Sequence, residues 1–312
     1  MTAVALQSEA ETGETPRFVA IARPVRRLDG RIVNAMSVDV EDYFQVQAFA
    51  STVDRDSWDA RECRVERNTD TVLQLFDEAD IRATFFTLGW VAERYPQVVR
   101  RIVDQGHELA SHGFAHFRAD EQSPDVFRDD IRRTKALLED AGGVPVRGYR
   151  AATFSIGANN LWAFNVLQEE GYAYSSSVNP IRHDFYGMPD APRFGFRPNG
   201  EAGIDEFPIT TLRFGSRNFP CGGGGFFRLL PYPVYRWALR QVNARDGQPC
   251  IFYFHPWEID PDQPRIPGAP LKTRFRHYLN LERTASRLRS LTRDFLWDRM
   301  DRVFLDGNEN TT

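Results

Sequence analysis

The chain has 312 residues and a formal charge of −4 at pH 7, a length that fits one α/β barrel or two average domains. Hydrophobic residues make up 42% and charged residues 26%, as expected of a globular protein with a sizeable core. No run of 18 apolar residues is present, so the sequence predicts no transmembrane helix. The slightly acidic balance also argues against a nucleic-acid partner, which would call for a basic surface.

The N-terminal segment and the cysteines bear on where the protein works. The apolar stretch at the N-terminus is too short for the hydrophobic region of a signal peptide, and acidic residues follow it at once, so we expect a cytoplasmic protein. Cys63, Cys221 and Cys250 are odd in number and lack CxxC spacing. We therefore expect buried thiols in a reducing compartment, neither disulfides nor zinc ligands.

Strands and helices alternate along most of the chain. Residues 1–30 show no clear periodicity and are expected to form a flexible arm. Short apolar segments predict strands at 31–40, 82–89, 107–111, 146–150, 172–177, 205–209 and 250–255. Helical periodicity predicts helices at 69–81, 91–106 (irregular or restarting at Pro96), 123–143, 159–171, 231–243 and 276–295. Such alternation favours one parallel β/α sheet, open or closed into a barrel.

The segment HELASHGFAH (107–116) holds three of the six histidines. His112 and His116 lie four positions apart, so on a helical turn both imidazoles would project from one face and could hold one divalent ion. This spacing alone is a weak signal, since a polar loop can collect histidines by chance. His107 begins the predicted strand and is interpreted as structural or as a support for the other two.

The segment SVDVEDYF (37–44) places Asp39, Glu41 and Asp42 where an apolar strand ends. Active sites of parallel β/α folds form at the carboxyl ends of strands. Two imidazoles and one carboxylate would leave open positions on a metal, and a second carboxylate would be free to act as a general base. The alternative is a solvated acidic loop.

Two further strand ends carry groups of interest. In FYFHPWEID (252–260), His255 would lie on the same rim, where a general acid would be useful. In RGYRAATF, Arg150 could hold Asp39 ionised and oriented; its alternative is a surface salt bridge. The glycines of CGGGGFF (221–227) are not followed by Gly-Lys-Ser/Thr, so they predict a close backbone approach rather than a phosphate loop.

These motifs, in this order, resemble those of the polysaccharide deacetylases of carbohydrate esterase family 4, the NodB homology domain. The resemblance spans about residues 33–260: SVDVEDYF is similar to the first motif, HELASHGFAH to the second, RGYRAATF to the third and FYFHPW to the fifth. GGGGFFRLLP and FRHYLNLERT resemble the subfamily associated with exosortase (PEP-CTERM) exopolysaccharide loci. The family fold is an irregular (β/α)7 barrel, so we expect a single catalytic domain at 31–265 and a helical extension at 266–312 packed on it.

The resemblance implies metal-dependent removal of N-acetyl groups from the amino sugars of a polysaccharide or its precursor. Asp39 would be the base, His255 the acid and Arg150 the group that orients the base, with His112 and His116 as metal ligands. Zinc is the expected metal, and cobalt, nickel or manganese could occupy the same site. The residues expected to contact the substrate are Tyr43, Phe44, Thr153, Phe154 and Trp257.

Two departures from the family pattern leave alternatives open. Val40 replaces the second aspartate of the first motif, so the metal carboxylate is either Glu41 or Asp42. The fourth motif, where an aspartate normally supports the arginine or the histidine, offers only serines at 175–177. The residues that could replace that aspartate are Asp184, His183 and Glu258.

Rival functions also remain at this point. One is hydrolysis of a small cyclic amide on the same fold, and another is a catalytically silent glycan-binding relative. A cytoplasmic deacetylase would need a growing or lipid-linked glycan as its substrate, and it could associate with exopolysaccharide assembly machinery.

Overall fold

The computed structural model describes residues 18–184 and 186–305. Its strands are Val19–Ala20 (β1), Arg27–Leu28 (β2), Arg31–Val40 (β3), Thr84–Thr87 (β4), Glu108–Ser111 (β5), Gly148–Tyr149 (β6), Tyr174–Ser175 (β7), Phe196–Arg197 (β8), Asp205–Glu206 (β9), Thr211–Phe214 (β10), Arg217–Pro220 (β11), Ile251–Phe254 (β12) and Leu296–Asp298 (β13). Its α-helices are Val65–Glu78 (α1), Gly89–Arg94 (α2), Pro96–Asp104 (α3), Pro124–Gly142 (α4), Trp162–Glu169 (α5), Gly224–Leu229 (α6), Tyr232–Gln241 (α7), Leu271–Tyr278 (α8), Leu281–Asp294 (α9) and Met300–Phe304 (α10).

One mixed, mostly parallel sheet organises the molecule. Its main order is β1-β8-β9-β7-β6-β5-β4-β3-β12, and β2 and β13 also pair with β3. Residues 32–40 of β3 are all buried, as expected of a strand covered on both faces in a parallel sheet. The predicted α/β class is therefore confirmed.

The barrel closes irregularly between β12 and the chain that follows β9. Single backbone hydrogen bonds replace a continuous ladder across this gap: Tyr253 N to Gly222 O (2.8 Å), Cys221 N to Thr210 O (3.2 Å) and Ile209 N to Val178 O (3.0 Å). The glycines predicted to allow a close backbone approach lie here, because a Cβ on Gly223 would be 1.9 Å from the Tyr253 carbonyl oxygen. The result is a distorted barrel with one weakly paired seam.

Helices follow the predicted alternation, and of the two alternatives at Pro96 the restart is confirmed. Pro96 restarts the helix, so 91–106 holds parts of α2 and all of α3, with the proline in the first turn, where its missing N–H is not needed. The single helix expected at 276–295 is instead two, α8 and α9. They are separated at Asn280, whose left-handed φ of 53° cannot continue an α-helix.

Both ends of the described chain join the sheet, which corrects two expectations. Residues 1–17 of the expected flexible arm lie outside the described residues, but β1 and β2 within 18–30 pair with β8 and β3. The C-terminal extension is not only helical, because β13 pairs in parallel with β3 from Leu296 opposite Val33. The proposed domain boundary at 265 stays a prediction.

Two of the three cysteines are buried as expected. Cys221 and Cys250 are buried free thiols, and Cys63 is half-buried. Among the described residues, no helix is long and apolar enough to cross a membrane.

A buried carboxylate fixes the chain next to the seam. Glu206, the last residue of β9, accepts hydrogen bonds at Oε1 from the backbone N–H groups of Ser177 (2.9 Å) and Val178 (2.8 Å). Burial raises the pKa of Glu206 to about 7, even though these hydrogen bonds favour the charged form.

We expect Glu206→Gln to change how stability depends on pH. The folded protein keeps the Glu206 proton over a range where the unfolded chain has released it, so the wild type loses stability relative to the variant as pH rises from 4.5 to about 7. The loss is about 1.4 kcal/mol per pH unit, and the difference is constant above that range. Urea unfolding of both proteins at several pH values measures it, and a difference that does not vary with pH would contradict the raised pKa.

Candidate active site and metal centre

The predicted functional groups converge at the carboxyl ends of neighbouring strands. Asp39 and Glu41 come from the end of β3, His112 follows β5, Arg150 follows β6 and His255 follows β12. Their side chains are buried or nearly so. The topology of the sheet therefore brings together groups that are more than 200 residues apart in sequence.

Glu41, His112 and His116 form a compact cluster. One ligand atom from each lies within 4.8 Å of the others. The Glu41 Oε2 atom is 3.0 Å from His116 Nε2. Of the two carboxylates that the sequence left open, the structure places Glu41 in this cluster.

The two histidines reach the cluster through a loop and not through a helical turn, which corrects the reason given for their spacing. The chain reverses after β5 with left-handed residues at Gly113 (φ 74°) and His116 (φ 53°). The His112 Nδ1 atom donates a hydrogen bond to the Arg150 carbonyl oxygen at 2.8 Å, which leaves Nε2 for a metal. Burial lowers the pKa of His112 to about 4, so its ring is neutral at pH 7, as a ligand must be.

The donor set fits a divalent metal. Apart from its contact with His116 Nε2, the buried Glu41 Oε2 atom has no hydrogen-bond partner within the described parts of the chain, and neither has the buried His116 Nδ1. Such atoms are costly in a protein interior. Burial opposes ionisation of Glu41, but the charges of His116 and His255 outweigh it and lower its pKa to about 2. An ionised carboxylate with two imidazoles is a common zinc ligand set that leaves positions open.

Asp42 has a structural role, so of the two alternative metal carboxylates it is not the one in the cluster. Its Oδ2 atom accepts hydrogen bonds from the backbone N–H groups of Arg64 (2.5 Å) and Val65 (2.8 Å), and its Oδ1 accepts one from Tyr43 N (2.8 Å). Asp42 therefore satisfies N–H groups at the start of α1, more than 20 residues later. Because its oxygens are occupied there, it cannot serve the metal cluster.

A buried ion pair holds the candidate base. The Arg150 Nη1 atom lies 2.6 Å from Asp39 Oδ1, and its side chain is fully buried, so the alternative of a surface salt bridge is wrong. The same guanidinium donates to Ser37 Oγ (2.9 Å), and to Ser176 O and Oγ (3.1 Å each), above the Phe86 ring. Of the three serines at the position of the fourth motif, Ser176 thus binds the Arg150 guanidinium directly.

A second carboxylate–guanidinium pair supports the candidate acid. The His255 Nδ1 atom is 2.7 Å from Glu258 Oε1, and Glu258 Oε2 accepts a hydrogen bond from Arg228 Nε at 2.6 Å. Burial opposes the charge on His255, yet Glu41 and Glu258 outweigh it and raise its pKa to about 9. Its other ring nitrogen, Nε2, lies 3.5 Å from Glu41 Oε1, facing the cluster.

Glu258 therefore supplies the support that the fourth motif lacks. Of the other candidates, Asp184 is 60% exposed and pairs with Lys272 at 3.1 Å, and His183 stacks on Tyr186. Neither contacts His255 or Arg150 in any contact that the structure gives for the described residues.

An open cavity of about 210 Å³ gives access to these groups. Thr153, Phe154 and Trp257 line it, and their contact with substrate stays a prediction. Trp257 is stacked between His255 and His277 and points its Nε1 at Glu41 Oε1 (3.3 Å).

Tyr43 and Phe44 were wrongly expected at the rim. They are 2% and 1% exposed and belong to the hydrophobic core, where Phe44 packs near Trp58 and Trp90. The chain turns inward directly after Glu41, so these rings face the core and not the cavity.

The sequence reasoning missed Arg228 and His277. Arg228, in α6, holds Glu258 and also donates to the carbonyl oxygens of His277 (2.8 Å) and Leu279 (2.9 Å). Both lie in the segments GGGGFFRLLP and FRHYLNLERT, whose resemblance to the subfamily was the available signal. Nothing local in these segments indicates that they meet.

A buried carboxylate with two histidines, next to a carboxylate held by arginine and a histidine held by glutamate, is a site of the metal-dependent hydrolase class. Residues 45–174 match the polysaccharide deacetylase family, and residues 176–305 match a domain of unknown function, DUF3473. Each match covers less than half of the chain, so its first part is similar to polysaccharide deacetylases and its second part to DUF3473. Asp39, Glu41 and His255 lie outside the residues that the deacetylase match covers.

Individual deacetylases are also similar to this chain. A peptidoglycan-N-acetylglucosamine deacetylase of Bacillus cereus is 31% identical over 96 residues, which cover 30% of this chain and 35% of that protein. A chitooligosaccharide deacetylase of Sinorhizobium fredii is 46% identical over 149 residues, covering 47% and 62% respectively. A Mycobacterium smegmatis structure assigned as a polysaccharide deacetylase superposes with a TM-score of 0.60 at 20% identity, over 91% of this chain and 93% of that one, which shows the shared fold.

We expect Glu41→Gln and Asp42→Asn to have opposite effects. Glu41→Gln removes the charged ligand, so the purified protein should lose near-stoichiometric zinc with little change in stability. Asp42→Asn should keep the zinc but lower the free energy of unfolding by about 1–2 kcal/mol, because a backbone cap is weakened. Elemental analysis after zinc loading and urea unfolding measure the two effects. Zinc lost from Asp42→Asn and retained by Glu41→Gln would contradict the ligand assignment.

Proposed function

We propose that this protein hydrolyses N-acetyl groups on the amino sugars of a polysaccharide or of its precursor. The observation that carries the proposal is the arrangement of Asp39, held by Arg150, and His255, held by Glu258, on either side of the Glu41/His112/His116 cluster. The names of the Bacillus cereus and Sinorhizobium fredii relatives support the reaction type.

The metal would be held by Glu41, His112 and His116. A divalent ion there, zinc being the best match to these ligands, would polarise the acetamide carbonyl and lower the pKa of a water molecule. The proton transfers would be carried out by protein side chains.

Asp39 is positioned to take the proton from the attacking water. Arg150 occupies Oδ1, and no described residue donates a hydrogen bond to Oδ2, which leaves that oxygen for the water. The guanidinium holds the carboxylate in one orientation.

His255 is positioned to protonate the departing amine. Glu258 accepts a hydrogen bond from Nδ1, so Nε2 is the atom that faces the cavity and delivers the proton. Without this proton the amine would be a very poor leaving group.

Thr153 is the best candidate for binding the oxyanion. The N–H of Ala151, the residue just after Arg150, is already bound to Ser177 Oγ at 2.9 Å. The Thr153 hydroxyl lines the cavity and has no hydrogen-bond partner in the part of the chain that the structure describes, and its backbone is left-handed (φ 58°). A hydroxyl that is already in place can stabilise the negative charge on the oxyanion without a rearrangement of the site.

We further propose that the protein acts in exopolysaccharide biosynthesis and belongs to the exosortase-associated subfamily. Arg228 connects the two segments that resemble the subfamily, and it also binds Glu258. These segments therefore help to position the candidate acid. A growing or lipid-linked glycan on the cytoplasmic side is the proposed substrate, in association with the assembly machinery. Localisation of the protein to the periplasm would contradict this part of the proposal.

Acetate release tests the central proposal. The zinc-loaded wild type should release acetate from N-acetylated oligosaccharides, and chelation should abolish the release. Asp39→Asn and His255→Ala should each reduce kcat by about 100-fold to 10,000-fold while retaining zinc, because each removes one proton transfer. Zinc binding without acetate release from any such substrate would instead favour a silent glycan-binding protein, and hydrolysis of a cyclic amide would favour that rival.

Glu258→Gln tests the support of the acid. The amide cannot balance the charge on His255 as the carboxylate does, so we expect kcat to fall by about 10-fold or more with little change in KM. Asp184→Asn is the matched control, since this exposed side chain pairs only with Lys272 and Arg276 among described contacts. Equal effects of the two substitutions would remove the role assigned to Glu258.

A further inference from the structure

Helix α8 exposes its apolar side chains on the side that faces away from the protein. Its sequence is LKTRFRHY, and His277 is buried, with its Nε2 atom 2.7 Å from Gln263 Oε1. Leu271 is 81% exposed and Phe275 is 61% exposed. Because they lie four positions apart, both project from one face of the helix and form a ridge. A helix on a protein surface normally turns its apolar stripe toward the core, so this ridge calls for an apolar contact outside the chain.

Positive charges flank the ridge on both sides. At about 100° per residue, Lys272 and Arg276 lie to one side of it and Arg274 to the other, and all three are exposed. Lys272 and Arg276 share the exposed Asp184 as their carboxylate partner, at 3.1 Å and 3.6 Å. No acidic residue occurs from 263 to 281, so the surroundings of the ridge are positive in a chain whose formal charge is −4.

Leu229, at the end of α6, extends this apolar surface. It is 50% exposed and lines the same surface depression as Phe275. We call the exposed side chains of Leu229, Leu271 and Phe275, together with the three cations of α8, the α8 patch. Single exposed apolar residues are ordinary on a protein surface, but a group of them bordered by cations marks a binding face.

An anionic membrane surface fits both parts of the α8 patch. The apolar side chains of such a helix insert at the boundary between head groups and acyl chains, and neighbouring lysines and arginines bind the anionic head groups. A soluble acidic glycan would pair with the cations but leave Leu271 and Phe275 in water. A second copy of the chain would cover these apolar side chains but bring its own cations against the first set.

The α8 patch lies beside the entrance to the candidate active site. Arg276 and His277 of α8 line the active-site cavity, as do Gly225 and Arg228 of α6. The helices that carry the patch are therefore helices that border the cavity. A membrane in contact with the patch would place its head groups next to the cavity opening.

We infer that the α8 patch docks on an anionic membrane surface and holds the active-site cavity next to the lipid head groups. A glycan attached to a membrane lipid would then reach the metal cluster without leaving the membrane. The docking itself is independent of the reaction, whereas this choice of substrate rests on the proposed function.

Co-sedimentation with vesicles tests the docking. The whole chain, loaded with zinc, should bind vesicles of phosphatidylcholine with about 30% phosphatidylglycerol at least ~10-fold more tightly than vesicles of phosphatidylcholine alone. Raising the salt concentration from about 0.1 M to about 0.5 M should weaken this binding, because salt screens the cations. Leu271→Ser combined with Phe275→Ser should weaken it by about 10-fold or more, and Lys272→Gln combined with Arg274→Gln by a similar factor.

Val126→Ser and Arg100→Gln are the matched controls. Val126 is 56% exposed in α4 and Arg100 is exposed in α3, and neither belongs to the α8 patch. Neither substitution should change the binding to vesicles. Equal binding to both kinds of vesicle, or binding that the substitutions in α8 leave unchanged, would overturn the docking.

Two further measurements test the other occupants. A dimer in solution that Leu271→Ser combined with Phe275→Ser abolishes would overturn the docking in favour of a second copy of the chain. Dextran sulfate bound as tightly as the anionic vesicles, through the same residues, would overturn it in favour of a soluble acidic glycan. Failure of the proposed function is read separately, as the absence of acetate release from N-acetylated oligosaccharides in solution, which leaves the binding to vesicles unchanged.

Discussion

The site depends on one buried charge. Arg150 has no solvent exposure, so its guanidinium must be satisfied inside the protein, and an unpaired charge there would cost several kcal/mol. Asp39, Ser37 and Ser176 satisfy it from β3 and from the chain after β7, and the Arg150 carbonyl oxygen orients His112. A single residue therefore positions the candidate base and one candidate metal ligand, and any shift of β6 would disturb both.

The acid is built on the same principle from another part of the chain. Glu258 is buried between Arg228 and His255, and Arg228 in turn binds the carbonyl oxygens that end α8. The base and the metal cluster precede residue 174, whereas the acid and its supports follow residue 176. The candidate site thus draws on both matched regions and on the strand before the first of them, and residues 45–174 alone lack the candidate acid.

The sequence allowed prediction of the groups at strand ends, because apolar strands and polar ends are local signals. Asp39, Arg150 and His255 could be placed on one rim for that reason. Asp42 could not be separated from Glu41, since its partners begin a helix more than 20 residues away. Tyr43 and Phe44 were misplaced because nothing local shows that the chain turns inward after Glu41. Arg228 was missed because its contacts join segments about 30 and 50 residues apart.

The different roles proposed for Asp39 and Glu258 follow from the hydrogen bonds that their carboxylate oxygens already accept. Both Asp39 and Glu258 are buried and paired with a guanidinium. Glu258 has one oxygen on Arg228 and the other on His255, so it has none left for a water molecule. Asp39 uses only Oδ1 for Arg150 among described contacts, and it borders the cavity. Similar carboxylates are thus suited to the different roles proposed for them, one as the base and one as the support of the acid, because their surroundings differ.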